Sequence, residues 1–200
     1  MFRNTIAVSS LLALGAQAAP RLGCPKDYKP MESFDIDRYA GKWYEVMRDK
    51  YTPFELGAGC VMAEYTPSTD GSGIITVQNS ARRPIFGWTD IKGPAVQADT
   101  GDASLVVSFH GKDPDPSSKA NYTVLDTDYE TYSVVYSCGD ILGTFGFDFL
   151  WILAREKELE KDIMDKIVAN IKKKIPSYGY ESNIFETYQG KRCDDSPFDQ

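Results

Sequence analysis

Apolar and polar positions along the chain fall into two regimes. Between Trp43 and Ala154, short runs alternate apolar with polar, and turn residues interrupt them at intervals of roughly 8–12 residues. The runs are Trp43 to Met47, Cys60 to Thr66, Ile74 to Ser80, a weaker one at Trp88 to Ala95, Ala103 to His110, Asn121 to Asp126, Thr131 to Ser137 and Phe147 to Ala154. Gly71-Ser72-Gly73, Arg82-Arg83-Pro84, the Pro-rich stretch Gly111 to Ser118 and Thr127-Asp128-Tyr129-Glu130 separate them. Short strands with this punctuation predict an antiparallel barrel or sandwich. The period then changes. Leu159, Ile163, Ile167 and Ile171 recur every fourth residue, with Met164 and Val168 beside them, which predicts one amphipathic helix. Acidic Glu156, Glu158 and Glu160 at its start and Lys172 to Lys174 at its end match the helix dipole, and Pro176 stops it. The apolar stripe reads as a docking face against the sheet rather than a membrane-lying surface.

Three segments remain. Leu22 to Glu32 is an irregular lead-in. Arg48 to Gly59 is a long loop whose Tyr51, Phe54 and Leu56 suit a lid or rim. A further short strand is expected near Asn183 to Tyr188. Upstream of the first strand, Asp35 is placed to cap a single helical turn ending at Tyr39, and Gly41 then turns the chain into Trp43.

Composition narrows the function. The chain has 200 residues, enough for one domain with a full core. Residues 1–18 read as a signal peptide: Arg3, an apolar run from Ile6 to Leu14, then Ala16-Gln17-Ala18 as the cleavage site, with Ala19 as the alternative. The run is too short to span a bilayer. Without Arg3 the mature chain has 21 basic residues against the 29 acidic ones, a net charge of −8, which argues against nucleic acid as a partner. The expected domain spans 19–193, and 194–200 reads as a mobile acidic tail. Four cysteines in a secreted chain imply two disulfides, and spacing leaves all three pairings open. Asn121-Tyr122-Thr123 is a glycosylation sequon, an expectation for Asn121 that agrees with the secretory route.

Gly41-Lys42-Trp43, the turn Thr127-Asp128-Tyr129, and the strand Phe147 to Ala154 ending in Arg155 resemble, in order, the three signatures of the lipocalin family. The similarity is to its apolipoprotein D-like group, with insect bilin-binding and crustacean carotenoid-binding lipocalins nearby. The resemblance implies an all-β fold: an eight-stranded antiparallel up-and-down barrel with one C-terminal helix packed outside. It further implies that Arg155 lies across Trp43 at the closed end, as scaffold, and that Cys24 pairs with Cys138 and Cys60 with Cys193. Carried over residue by residue, it places Tyr65, Phe109, Tyr122, Trp151 and Leu153 on the cavity wall, with Asn79 and Arg83 as its polar members. Arg83 would pair a ligand carboxylate, or simply be solvated in its turn. By strand parity Tyr122 points inward while Asn121 points out, and Glu45 and Met47 share the face of Trp43. Ala81 and the longer turn Asp113 to Ser118 depart from the apolipoprotein D pattern.

These features imply a secreted, extracellular carrier with a small hydrophobic ligand (fatty acid, sterol, retinoid or pigment) and no resident cofactor beyond such a ligand. The alternative is an interaction module that meets a lipid particle or cell-surface receptor through loop 51–56. A third reading, an isomerase of lipocalin type, requires a free thiol, and an even cysteine count leaves none. His110 is the sole histidine, so neither a Ser-His-Asp triad nor a multi-histidine metal site is expected.

Overall fold

The computed structural model describes residues 21–22, 24–25, 28–109, 111–141 and 145–198. The segment 1–18 read as a signal peptide and His110 lie outside them. Eight antiparallel strands close on themselves: β2 (Gly41–Asp49), β3 (Gly59–Pro67), β4 (Ile75–Arg83), β5 (Gly87–Gln97), β6 (Ser104–Val107), β7 (Tyr122–Thr127), β8 (Tyr132–Ile141) and β9 (Phe145–Ala154), with β9 pairing back on β2. Two short strands lie outside the ring, β1 (Arg21–Leu22) on β9 and β10 (Ile184–Glu186) on β2. Helix α1 (Ile36–Tyr39) precedes the barrel, and α2 (Lys161–Lys174) and α3 (Tyr180–Asn183) follow it. Strand β1 ends at Leu22, and the described residues of the lead-in beyond it carry no helix or strand. The long helix begins after Glu160, so Glu156 and Glu158 precede it rather than form its first turn.

Two apolar layers share the same strands. Inside lie Trp43, Ala63, Tyr65, Val77, Leu105, Val124, Val135 and Leu153. Outside, Leu125, Val134, Tyr136, Leu150 and Ile152 pack under Ile167 and Ile171 of α2. This is why β8 and β9 read as near-continuous apolar runs: Val134-Val135-Tyr136 and Leu150-Trp151-Ile152-Leu153 bury alternate residues on opposite faces, both covered. Asn170 of α2 donates to Asp126, and Lys174 donates to the Leu125 carbonyl, fixing the helix against β7.

Strand β2 carries a bulge. Glu45 pairs with Leu153 and Met47 with Ile152, so one extra residue sits between them. The bulge reverses parity beyond Glu45. Met47, expected inside with Trp43, joins the outer layer with Val46 instead. Strand β6 is also shorter than Ala103 to His110. The Asn121 side chain accepts from Val107 N and donates to Val107 O, both at 2.8 Å, and so occupies the backbone groups that a longer β6 would offer β7. A Cβ on Gly93 of β5 would lie 1.9 Å from Ser108 O, so that position admits no side chain.

The closed end joins the three sequence motifs. Asp35 caps α1, accepting from Arg38 N at 3.1 Å. Trp43 is fully buried, and its Nε1 donates to Tyr39 O at 2.8 Å. The Arg155 guanidinium lies 3.7 Å over the Trp43 ring and donates to Lys42 O (2.8 Å), Arg38 O (3.0 Å) and Tyr129 O (3.1 Å). Asp128 accepts from the backbone of Glu130, Thr131 and Tyr132, and the Thr127 hydroxyl from Tyr129 N, which shapes the turn that presents the Tyr129 carbonyl. Disulfides Cys24–Cys138 and Cys60–Cys193, the pairing the resemblance implies, attach lead-in and tail to the barrel, each with a long sequence separation (114 and 133). In the acidic tail, Lys157 Nζ meets Asp194 at 3.1 Å, and Trp88 Nε1 donates to Asp195 at 3.3 Å.

A lysine at position 155 keeps the charge but loses the planar stack and the multiple carbonyl bonds. Arg155→Lys is expected to lower unfolding free energy by about 2 kcal/mol in urea titration. A loss under about 0.5 kcal/mol, the range of an ordinary surface substitution, would contradict the scaffold role.

Candidate functional site

A cavity of about 260 Å³ opens within the barrel. Its wall is mainly apolar: Val61, Met62, Ala63 and Tyr65 from β3, Val77 from β4, Val107, Val135, and Phe149, Trp151 and Leu153 from β9. Two surface grooves are broader, about 400 Å³ beside Arg82 to Gly87 and about 620 Å³ between Pro25 to Pro30 and Asp99 to Lys119, but turns and charged residues line them. Among the described residues the interior cavity alone combines strand-borne apolar walls with a few convergent polar groups.

Its floor is a chain of hydroxyls. Ser133 meets Tyr39 at 2.9 Å, Tyr39 meets Tyr122 at 2.8 Å, and Tyr122 meets Tyr65 at 2.7 Å. Burial pushes the Tyr39 phenol up to about 12, and burial also raises Tyr65 and Tyr122, so all three stay neutral. The Tyr39 ring lies 5.1 Å from both Trp43 and Tyr65, which couples this floor to the clamp at the closed end.

The opposite side is polar and charged. Glu45 and Arg48 flank the β2 bulge, each with its side chain 2% exposed, and join at 2.7 Å. Glu55, in the 3₁₀ turn Pro53–Glu55, places a carboxylate oxygen 3.8 Å from Arg48 Nε and accepts from Trp151 Nε1 at 3.0 Å. Arg48 also donates to the Glu55 and Ala58 carbonyls, which holds the loop against the barrel. Phe54 lies edge-on to Phe149, ring centroids 5.9 Å apart, and borders the cavity as a lid. Asn79 Oδ1 is buried without a hydrogen-bond partner.

Of the residues carried over by resemblance, Tyr65, Asn79, Phe109, Tyr122, Trp151 and Leu153 border this cavity. Arg83 does not. Strand β4 continues to Arg83, whose guanidinium donates to Phe54 O at 2.5 Å beside the surface groove and lies near enough to Glu55 to oppose the rise that burial gives its carboxyl. Glu55 was missed, because a loop residue has no period to betray its direction. Glu45 was accessible through its parity with Trp43. Asn121 is exposed with its amide engaged by Val107, and it also borders the cavity beside Tyr122 rather than only the outer face.

A closed eight-stranded barrel with an internal apolar cavity, an Arg–Trp clamp at one end and an external helix defines the lipocalin class. Residues 34–189 match the lipocalin-like domain family, and the chain belongs to the lipocalins. It is apolipoprotein D-like: it is 36% identical to apolipoprotein D of Oryctolagus cuniculus over 82% of this chain and 85% of that one. It is also 33% identical to the outer membrane lipoprotein Blc of Vibrio cholerae over 81% and 86% of the two chains. Among solved structures, insecticyanin of Manduca sexta shares the fold at a TM-score of 0.71 and 24% identity, covering 86% of this chain and 90% of that one.

The buried carboxyl pair predicts a pH effect. Burial holds the Glu45 carboxyl up at about 8 against an ordinary 4.5; the Glu55 charge adds to this and Arg48 opposes it. The unfolded chain releases this proton near 4.5 and the folded chain keeps it to about 8. The stability it contributes is therefore full below 4.5 and is lost as pH rises through about 8. Across that window the unfolding midpoint of the wild type is expected to fall relative to Glu45→Gln; parallel curves would contradict the assignment.

Proposed function

We propose that the chain is a secreted carrier that holds a small hydrophobic molecule, such as a fatty acid, sterol, retinoid or pigment, inside the barrel. The observation that carries this reading is the apolar cavity between the tyrosine floor and the Phe54 lid. Burial of ligand surface there, at roughly 25 cal/mol per Å², supplies the drive. The signal peptide expected at 1–18, the two disulfides and the sequon at Asn121 support an extracellular location. No helix among the described residues is long and apolar enough to cross a membrane. Both disulfides together hold all four cysteines, which removes the thiol that the isomerase reading requires.

A second reading has its own observation. Tyr51, Leu56, Ile85 and Phe86 are exposed at 52%, 74%, 87% and 74%, on loops that the bond from Arg83 to the Phe54 carbonyl brings together. Such a patch suits a lipid particle or a receptor surface. Both readings are compatible, since loading from a lipid surface needs an apolar rim.

Intrinsic Trp fluorescence of the refolded, delipidated protein separates them. Titration with a fatty acid, a retinoid and a bilin is expected to give saturable quenching that Trp151→Phe largely removes with the fold intact. No saturable response to any of the three would sink the interior-carrier reading and leave the loop surface.

A further inference from the structure

The cavity's polar side is unusual in what it offers a ligand. Most of its nearby donors are already used, the Ser137 hydroxyl on the wall being the exception. Arg48 gives Nη1 to Glu45, Nη2 to two loop carbonyls, and turns Nε toward Glu55. Trp151 Nε1 is given to Glu55, and the Asn121 amide to Val107. The hydroxyls of Tyr39, Tyr65 and Tyr122 bond to one another. Acceptors remain in excess: the Glu45 and Glu55 carboxyls, only partly occupied by Arg48, Thr187 and Trp151, and the buried, unpartnered Asn79 Oδ1.

We infer that this cavity selects apolar ligands whose polar end is a hydrogen-bond donor, a hydroxyl or an N–H, and discriminates against carboxylates with the same apolar body. The inference rests on the carrier reading above and sharpens it. Two carboxyls already face one guanidinium, so a ligand carboxylate would bring a third acidic group beside a cation that is already shared. Burial raises both carboxyls, and Arg48 is the cation they share, so the cluster has no positive charge to spare for a ligand. A hydroxyl instead meets an open acceptor. The Asn79 amide is able to rotate and present its NH2, but the neighbouring carboxyl cluster fixes the preference of the site as a whole. With Arg83 bonded to the Phe54 carbonyl, no Lys or Arg among the described residues stands on the cavity wall itself.

Three probes of one apolar body test this on the delipidated full chain: dodecan-1-ol, methyl dodecanoate and dodecanoate, titrated by Trp fluorescence near neutral pH. The alcohol is expected to bind roughly tenfold more tightly than either, the ratio one satisfied against one unsatisfied buried polar group gives. Asn79→Leu is expected to remove the alcohol's advantage over the ester. Glu55→Gln, which introduces an amide donor, is expected to narrow the gap to dodecanoate; the Asn79 variant keeps the test decisive if this one fails to fold. Dodecanoate binding as tightly as the alcohol, or an alcohol preference untouched by Asn79→Leu, would overturn the inference and leave the carrier reading standing. Failure of all three probes to bind would overturn the carrier reading and this inference together.

Discussion

The Arg155 guanidinium, 3.7 Å over the buried Trp43 ring, is the contact on which the rest of the molecule depends. It draws carbonyls from the end of α1, the start of β2 and the distant β7–β8 turn onto one rigid plane. Arginine suits this because its fork of donors serves several acceptors while its face covers an aromatic ring. Gly41, at φ +90°, takes a backbone conformation that side chains rarely adopt and sits close to Arg155 Nη1. With the end plugged, β9 and β2 meet in register and the barrel closes, which removes two long exposed strand edges.

From that fixed end the chemistry changes upward in layers. Tyr39 links the Trp43 clamp to the hydroxyl floor, apolar β3, β4 and β9 residues line the middle, and the Glu45–Arg48–Glu55 cluster sits under the lid. The bulge in β2 makes that last layer possible. Without it, Arg48 and Glu45 would fall on opposite faces, and the loop carrying Glu55 would lose the guanidinium that holds its carbonyls. A buried cluster of this kind is weak as a source of stability, because desolvation offsets attraction. Its effect is to fix where the lid lies and what polar chemistry the cavity presents.

Much of this was legible in the sequence. The four-residue spacing from Leu159 to Ile171 announces α2, and the three signature segments place both ends of the clamp. Interior positions on β9 follow from parity once one residue is oriented. On β3, by contrast, a register shift between Gly59 and Met62 lets Val61, Met62 and Ala63 all border the cavity. Legibility fails where local geometry breaks the period. The bulge moves Met47 outward, and nothing in the order of residues marks it. Asn121 ends the β6–β7 pairing through a side chain that imitates backbone, which composition does not reveal. Glu55 and Arg83 belong to irregular or turn-adjacent segments, where direction is set by tertiary partners: Trp151 and Arg48 for the one, the Phe54 carbonyl for the other.

The central claim is that the barrel interior, and not the surface, is where this protein binds. Ala63, at the middle of β3 and paired with Trp43 and Asn79, borders the cavity far from the loops. A large side chain there fills the space while leaving the clamp, the disulfides and the rim in place. Ligand titration of Ala63→Trp, alongside far-UV circular dichroism and cooperative unfolding as checks on the fold, tests the claim most directly. The account predicts that saturable ligand uptake is lost while the barrel persists; unchanged affinity in a folded Ala63→Trp protein would contradict it.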